Sequence, residues 1–145
     1  MKTVNEMSIS FPSKSCNEAF ARSVVAAFVM NLDPTINELS DIKTAVSEAV
    51  TNCIVHGYRR SDGIIYIKGK ITDTNKVIIK IRDKGCGIED VKKAMEPLFT
   101  TAPEEERAGL GFAVMQSFCD KVKVKSVPEK GTTVTLEKTI KKTYD

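Results

Sequence analysis

Residues 7–11 alternate apolar and polar side chains, Met-Ser-Ile-Ser-Phe, the period of a strand with one buried face, and Pro12 closes the run. The period then lengthens. Ser15 and Glu18 stand at the spacing of a capping box, opening a helix that carries Phe20, Val24, Ala27 and Phe28 on a core stripe as far as about Asn31. Val25, Val29 and Leu32 make a second apolar flank, so one face of this helix is expected on a sheet and the other on a partner. After the Asp33-Pro34 turn a second helix begins near Thr35 to Asn37 and runs to Gly57. Its stripe is Ile36, Leu39, Ile42, Val46, Ala49, Val50 and Cys53.

Residues 64–72 and 77–81 are strand-like and joined by Asp73-Thr-Asn-Lys, a hairpin loop. Residues 89–96 suit a short helix. Residues 97–108 are polar, charged and aperiodic and read as a lid, after which 110–118 resume a helix whose first turn is Gly109-Leu110-Gly111. Val122, Val124 and Val127, with Val134, Leu136 and Ile140, form a last hairpin around Pro128-Glu-Lys-Gly131. This order predicts an α+β two-layer sandwich, with five strands in a mixed, mostly antiparallel sheet and helices on one face. It is read as a single domain over residues 1–145 with the lid at about 97–108.

Composition narrows the class without changing the fold. Hydrophobic residues are 41% and charged residues 28%, the balance of a folded globular chain rather than a disordered one. Twenty-two basic and nineteen acidic residues give +3, and the basic ones are spread along the chain, so no direct nucleic-acid partner is expected. The four cysteines include no Cys-x-x-Cys pair and read as reduced thiols. With no signal peptide and no apolar run near the ~18 residues of a membrane span, no membrane partner is expected and the place is cytoplasmic.

Candidate chemistry begins on the second helix, where Glu48, Asn52 and His56 recur four apart along the border of the apolar stripe. Polar groups beside a buried face need hydrogen bonds or a ligand, the alternative being an ordinary solvated edge. Asp83-x-Gly85-x-Gly87 sets a carboxylate at a tight turn where a flat ligand can approach the backbone. Gly109-Leu110-Gly111 at a helix start would offer free N–H groups and the positive dipole end to phosphates. The chain has neither G-x-x-x-x-G-K-[ST] nor a G-x-G-x-x-G opening a βαβ unit, which excludes Walker and Rossmann sites.

In order, Glu48-x-x-x-Asn52-x-x-x-His56, Asp83-x-Gly85-x-Gly87, Gly109-x-Gly111 and Gly131-Thr132-Thr133 resemble the Bergerat ATP-binding fold of the gyrase, Hsp90, histidine-kinase and MutL superfamily, over nearly the whole chain. Within it, Pro97-Leu-Phe-Thr-Thr101 and Glu106-Arg107-x-Gly109-x-Gly111 are similar to the sporulation anti-sigma factors that are also serine kinases. The resemblance implies Mg²⁺ on Asn52, Glu48 as the base for the attacking hydroxyl, and Asp83 on the adenine amino group with Thr132 nearby through water. Gly85, Gly87 and Thr101 would complete the nucleotide contacts. Gly109, Leu110 and Gly111 would bind the phosphates by backbone N–H, and Arg107 would reach the γ-phosphate. Thr132 as a plain hairpin residue and Arg107 as a solvated lid charge are the alternatives.

The implied cofactors are ATP/ADP and Mg²⁺. The implied partners are a sigma factor that is inhibited and an anti-anti-sigma factor whose serine is phosphorylated, with the chain a homodimer. His56 is the only histidine, so the phosphoacceptor histidine of a sensor kinase has no counterpart and the acceptor must come from another protein. A nucleotide-gated sigma-binding module with little kinase activity is the competing reading. DNA work of the gyrase or MutL kind is a distant third, since no transducer domain follows residue 145. On the first helix Arg22 is either an intrahelical partner of Glu18 or an interface anchor beside Val25 and Val29.

Overall fold

Alternation along β2 (Ile64–Thr72) and β3 (Lys76–Asp83) sets the frame of the molecule. Ile65, Ile67, Ile71, Val77, Ile79 and Ile81 are buried on one face, and Lys68, Lys70, Lys80 and Arg82 between them are exposed on the other. Adding β1 (Thr3–Pro12), β4 (Lys121–Val127) and β5 (Gly131–Thr139) completes a sheet of order β1-β2-β3-β5-β4. The computed structural model describes residues 1–95 and 103–141, with 103–110 described by backbone alone. Every pairing is antiparallel, which corrects the mixed sheet expected from the sequence. The reason lies in the connections: two helices between β1 and β2 carry the chain out and back, and β2 and β3 form a hairpin. The crossover through the two helices after β3 sets β4 parallel to β3 but leaves between them a gap that β5 fills antiparallel to both.

Helices α1 (Asn17–Val29), α2 (Ile36–Asn52) and α4 (Pro103–Phe118) belong to the layer over the buried face, with α2 packed between the other two. Ile42, Ala45, Val46, Ala49 and Val50 of α2 are buried there, each large aliphatic contributing about 1.5–3 kcal/mol by burial. The short helix α3 (Val91–Met95) is started by Asp90, whose carboxylate accepts from Lys93 N–H at 3.1 Å.

Several expectations change. The capping box is on α2, where Thr35 and Glu38 exchange both hydrogen bonds; α1 starts after Cys16 with no side-chain cap, Glu18 turning instead to Arg22 at 3.3 Å. Ile36 is 87% exposed as the first residue of α2, and the stripe meets the core from Leu39, half-buried against it, and is fully buried from Ile42. On α1 the two apolar flanks trade places except at Phe28, which is buried as the core stripe expected. Ala21, Val25, Phe28 and Val29 are buried, whereas Phe20 and Ala27 are exposed and Val24 is half-buried, because the sheet and α2 take the flank assigned to a partner.

The fourth helix begins at Pro103, well before Leu110. Proline in the first turn and Glu104-Glu105-Glu106 at the positive dipole end start it without any apolar period. Residues 97–102 of the expected lid, Thr101 among them, lie outside the described residues.

Candidate functional site

At Asn52 the α-helical path of α2 stops and a π-turn, Cys53–Gly57, takes over, with Tyr58 N–H donating to Cys53 C=O at 2.8 Å. Such wide turns re-aim the residues that follow. Here the turn takes His56 off the line that Glu48 and Asn52 share, correcting the three-residue stack expected from α-helical spacing. It also brings Gly57 against the end of β3. A Cβ at Gly57 would lie 2.7 Å from Asp83 Oδ2, and one at Gly85 would lie 2.1 Å from Gly57 O. Only two bare Cα positions let the π-turn, the carboxylate and the Asp83-x-Gly85 loop interlock.

Asp83 is 4% exposed at the last position of β3. Its Oδ1 accepts from Gly85 N–H at 2.9 Å, and the Cys53 thiol and Thr132 N–H also donate to the carboxylate. Burial outweighs these bonds and holds the Asp83 carboxyl above its ordinary range. Burial, with the Asp83 charge second, pushes the Cys53 thiol well up, so it stays a protonated donor. The loop beyond is pinned at several points. Cys86 N–H donates to Gly57 C=O at 2.9 Å and its thiol to His56 C=O at 3.1 Å. Tyr58 Oη accepts from Lys84 N–H at 2.7 Å and donates to Ile64 C=O. Gly87 has φ +75, and a Cβ there would meet Val127 O at 2.3 Å.

Thr132 faces Asp83 directly in the β3–β5 register and is buried. Its Oγ1 is 2.8 Å from Ser126 Oγ, which accepts from Ile88 N–H at 2.7 Å and donates to Gly131 C=O at 3.1 Å. An open cavity of about 510 Å³ lies here, lined by Asp83, Val91, Val124, Ser126, Gly131 and Thr132 among others. That is within the usual size of a small-molecule site. A buried carboxylate beside a hydroxyl, under bare backbone, suits a flat ring carrying an exocyclic amino group.

The second half of the site lies where α2 meets α4. A Cβ on Gly111 would be 3.2 Å from Glu48 Oε2 and 3.3 Å from both Asn52 Oδ1 and Nδ2. Asn52 Nδ2 is buried with no hydrogen-bond partner, an orphan donor that a bound group would satisfy. One amide oxygen beside one carboxylate suits a hard cation that completes its shell from water and phosphate oxygens. Among the described residues no group of three or more His, Cys, Asp and Glu forms a metal cage. Gly109, Leu110 and Gly111 lie inside α4, not at its start, which corrects the expected free N–H groups. The side chains of Arg107 and Leu110 lie outside the described residues.

The structure therefore brings Glu48, Asn52 and Gly111 together at one point, and Asp83, Gly85 and Thr132 with the Gly87 loop at another. Arg22 is apart from both, on α1, paired with Glu18. The sequence reading missed Cys53, Gly57, Tyr58 and Ser126. Only Gly57 carried a signal, as the helix-ending glycine of the Asn52 motif.

Residues 11–138 match the family described as the histidine kinase-like ATPase domain. An anti-sigma F factor of Thermoanaerobacter sp. (strain X514) is 61% identical over 97% of this chain and 97% of its own length. Others from Clostridium botulinum (strain Alaska E43 / Type E3) and Halalkalibacterium halodurans are 58% and 53% identical, over 92% and 95% of this chain and 94% of each relative. The RsbU and RsbW domains of Rv1364c from Mycobacterium tuberculosis share the fold with TM-score 0.69 at 18% identity, over 94% of this chain and 33% of that one. The blue-light activated histidine kinase EL346 of Erythrobacter litoralis does so with TM-score 0.58 at 18% identity, over 81% of this chain and 40% of that one.

Proposed function

The chain belongs to the histidine kinase-like ATPase family and, within it, to the anti-sigma F factors, and from that premise we propose that it is a Mg-ATP-dependent protein serine kinase that also holds a sigma factor. The observation that carries the enzymatic half is the meeting of Glu48, Asn52 and Gly111. A carboxylate stands one helical turn before a metal-suited amide, both within 3.3 Å of where a Cβ on Gly111 of α4 would stand.

In this reading Asp83 accepts from the adenine amino group, with Thr132 beside it and Gly85 and Gly87 letting the loop pack against Gly57 and Val127 so that it holds the carboxylate in place. Asn52 Oδ1 holds Mg²⁺, which when bound neutralises charge on the phosphates. Gly111, bare where α4 faces Glu48 and Asn52, leaves room for those phosphates. Thr101 and Arg107 complete the contacts from a lid at 97–108 of one domain, Arg107 on the γ-phosphate. Transfer is a single displacement. A serine hydroxyl oxygen of an anti-anti-sigma factor bonds to the γ-phosphorus, the bond to the ADP oxygen breaks, and Glu48 takes the hydroxyl proton.

The sigma factor contact is assigned to α1 with Arg22 as its anchor; Val25 and Val29, expected beside it, are buried in the core, and Phe20 is an exposed apolar side chain of this helix. A homodimer acting in the cytoplasm, where transcription is regulated, belongs to the same reading. Glu48→Gln separates it from a nucleotide-gated module without chemistry. ATP binding should survive, and phosphate transfer to the anti-anti-sigma serine should fall about 10²–10⁴-fold. Transfer at the wild-type rate would leave Glu48 a solvated edge and favour the module.

A further inference from the structure

The sheet face turned away from the helices is exposed, and register lines its side chains into rows. One row runs Ser8, Lys68, Lys80, Thr135, Lys123, and the next runs Ser10, Tyr66, Arg82, Thr133, Lys125, each residue opposite the next on the adjacent strand. Lys68, Lys80, Arg82, Lys123 and Lys125 are exposed, as is Lys84 just past β3. Neighbouring strands lie about 4.8 Å apart and successive outward residues about 6.7 Å apart along a strand, so these cations form a plate rather than a line. Lys68 stands directly opposite Lys80, a like-charge pair that works against the sheet. The described ion pairs are Arg22–Glu18, Lys76–Glu137 and Lys138–Asp41, and none of them involves the plate. A third row, Glu6, Lys70, Ile78, Glu137, Lys121, carries both signs and no net charge, and it bounds the plate on one side.

We propose that this plate binds the sugar–phosphate backbone of a single-stranded nucleic acid without regard to sequence. Opposed like charges in the middle of a sheet are relieved by a polyanion laid across them. The cations are five lysines and one arginine, and lysine is depleted at protein–protein interfaces, whereas lysine, serine and threonine are ordinary partners of phosphate oxygens. Ser8, Ser10, Thr133 and Thr135 stand in the same two rows. Tyr66 lies among them with Lys84 Nζ 5.0 Å from its ring centroid, an aromatic face of the kind on which bases stack. A five-stranded sheet is too broad for a duplex groove, which admits a helix or a two-stranded ribbon, and this selects the single strand. Arg82, Lys125 and Thr133 also line the cavity beside Asp83, so the plate adjoins the nucleotide site, and the strand period builds it from cations that are scattered in sequence.

Anisotropy of a fluorescent single-stranded oligonucleotide, titrated with the full chain, tests this. Six phosphates at about 0.7 each predict a slope of about −4 in log affinity against log salt, a loss of roughly 300-fold from about 50 to 200 mM. Lys68→Glu combined with Lys125→Glu should flatten the slope by more than about one unit and weaken binding at least about tenfold. Its melting midpoint should not fall, since an opposite-charge pair replaces Lys68 facing Lys80. The proposal is overturned by absence of salt-dependent binding, or by a double variant that binds like wild type. It also fails if polyglutamate or anionic vesicles of equal charge compete as well as nucleic acid does. Those last two outcomes would point to an acidic protein or a membrane.

Discussion

Replacing Gly111 by alanine should pull stability and ligand binding in opposite directions. Gly111 is buried in the interior of α4, where alanine is favoured over glycine by about 0.8–1.0 kcal/mol. The new methyl would stand 3.2 Å from Glu48 Oε2 and 3.3 Å from Asn52 Oδ1 and Nδ2. Those contacts are close, but they meet the ends of side chains that can turn aside, so the free protein should gain somewhat less than about 1 kcal/mol. For a chain of this size that raises Tm by no more than about 2–4 °C. Binding should suffer, because the methyl occupies the space where carboxylate, amide and phosphate are to meet. Disturbing the surroundings of a metal ligand typically costs 10–100-fold, so Mg-ADP affinity should fall at least about tenfold. Thermal denaturation without ligand and calorimetry with and without Mg²⁺ measure the two effects. A raised Tm with native Mg-ADP affinity would remove the junction from the nucleotide site. A fallen Tm would show that Glu48 and Asn52 cannot yield, contrary to the reasoning.

Gly57→Ala should destabilise the fold by about 1–3 kcal/mol, read as a lowered urea midpoint, because its methyl would lie 2.7 Å from the buried Asp83 carboxylate. Asp83 has a folded pKa raised by burial, so its ionised form costs the free protein stability above that pKa, and the cost disappears below the unfolded value of about 3.9. The stability of wild type relative to Asp83→Asn should therefore improve as pH falls through the folded pKa, and denaturation of both proteins across that range showing a constant difference would refute it. Asn52→Ala should abolish the Mg²⁺ dependence of ADP binding in calorimetry. Arg22→Ala should weaken capture of the sigma factor, whereas capture at wild-type strength would leave Arg22 a simple partner of Glu18, a pair worth about 0.3–0.5 kcal/mol.

Local rules sufficed for much of this molecule. The strand period along β2 and β3 put isoleucines on one face and cations on the other, and the four-residue spacing of Glu48 and Asn52 kept both on one side of α2, because each pattern needs only its own backbone geometry. The motif glycines likewise marked where backbone had to come close. What required tertiary structure was anything settled by a neighbour distant in sequence. Two apolar stripes on α1 were equally good cores until the sheet and α2 took Val25 and Val29 and left Phe20 outside. Ser15 and Glu18 stood at capping-box spacing, yet the box formed at Thr35 and Glu38, and α1 starts without a side-chain cap. No periodicity announces a π-turn, since the wider ring at Cys53–Gly57 is held by where Gly57 must meet Asp83 and Gly85. The cations of β2, β3 and β4 looked dispersed along the chain. Antiparallel register alone, a property of pairs of strands rather than of any one segment, made them a surface.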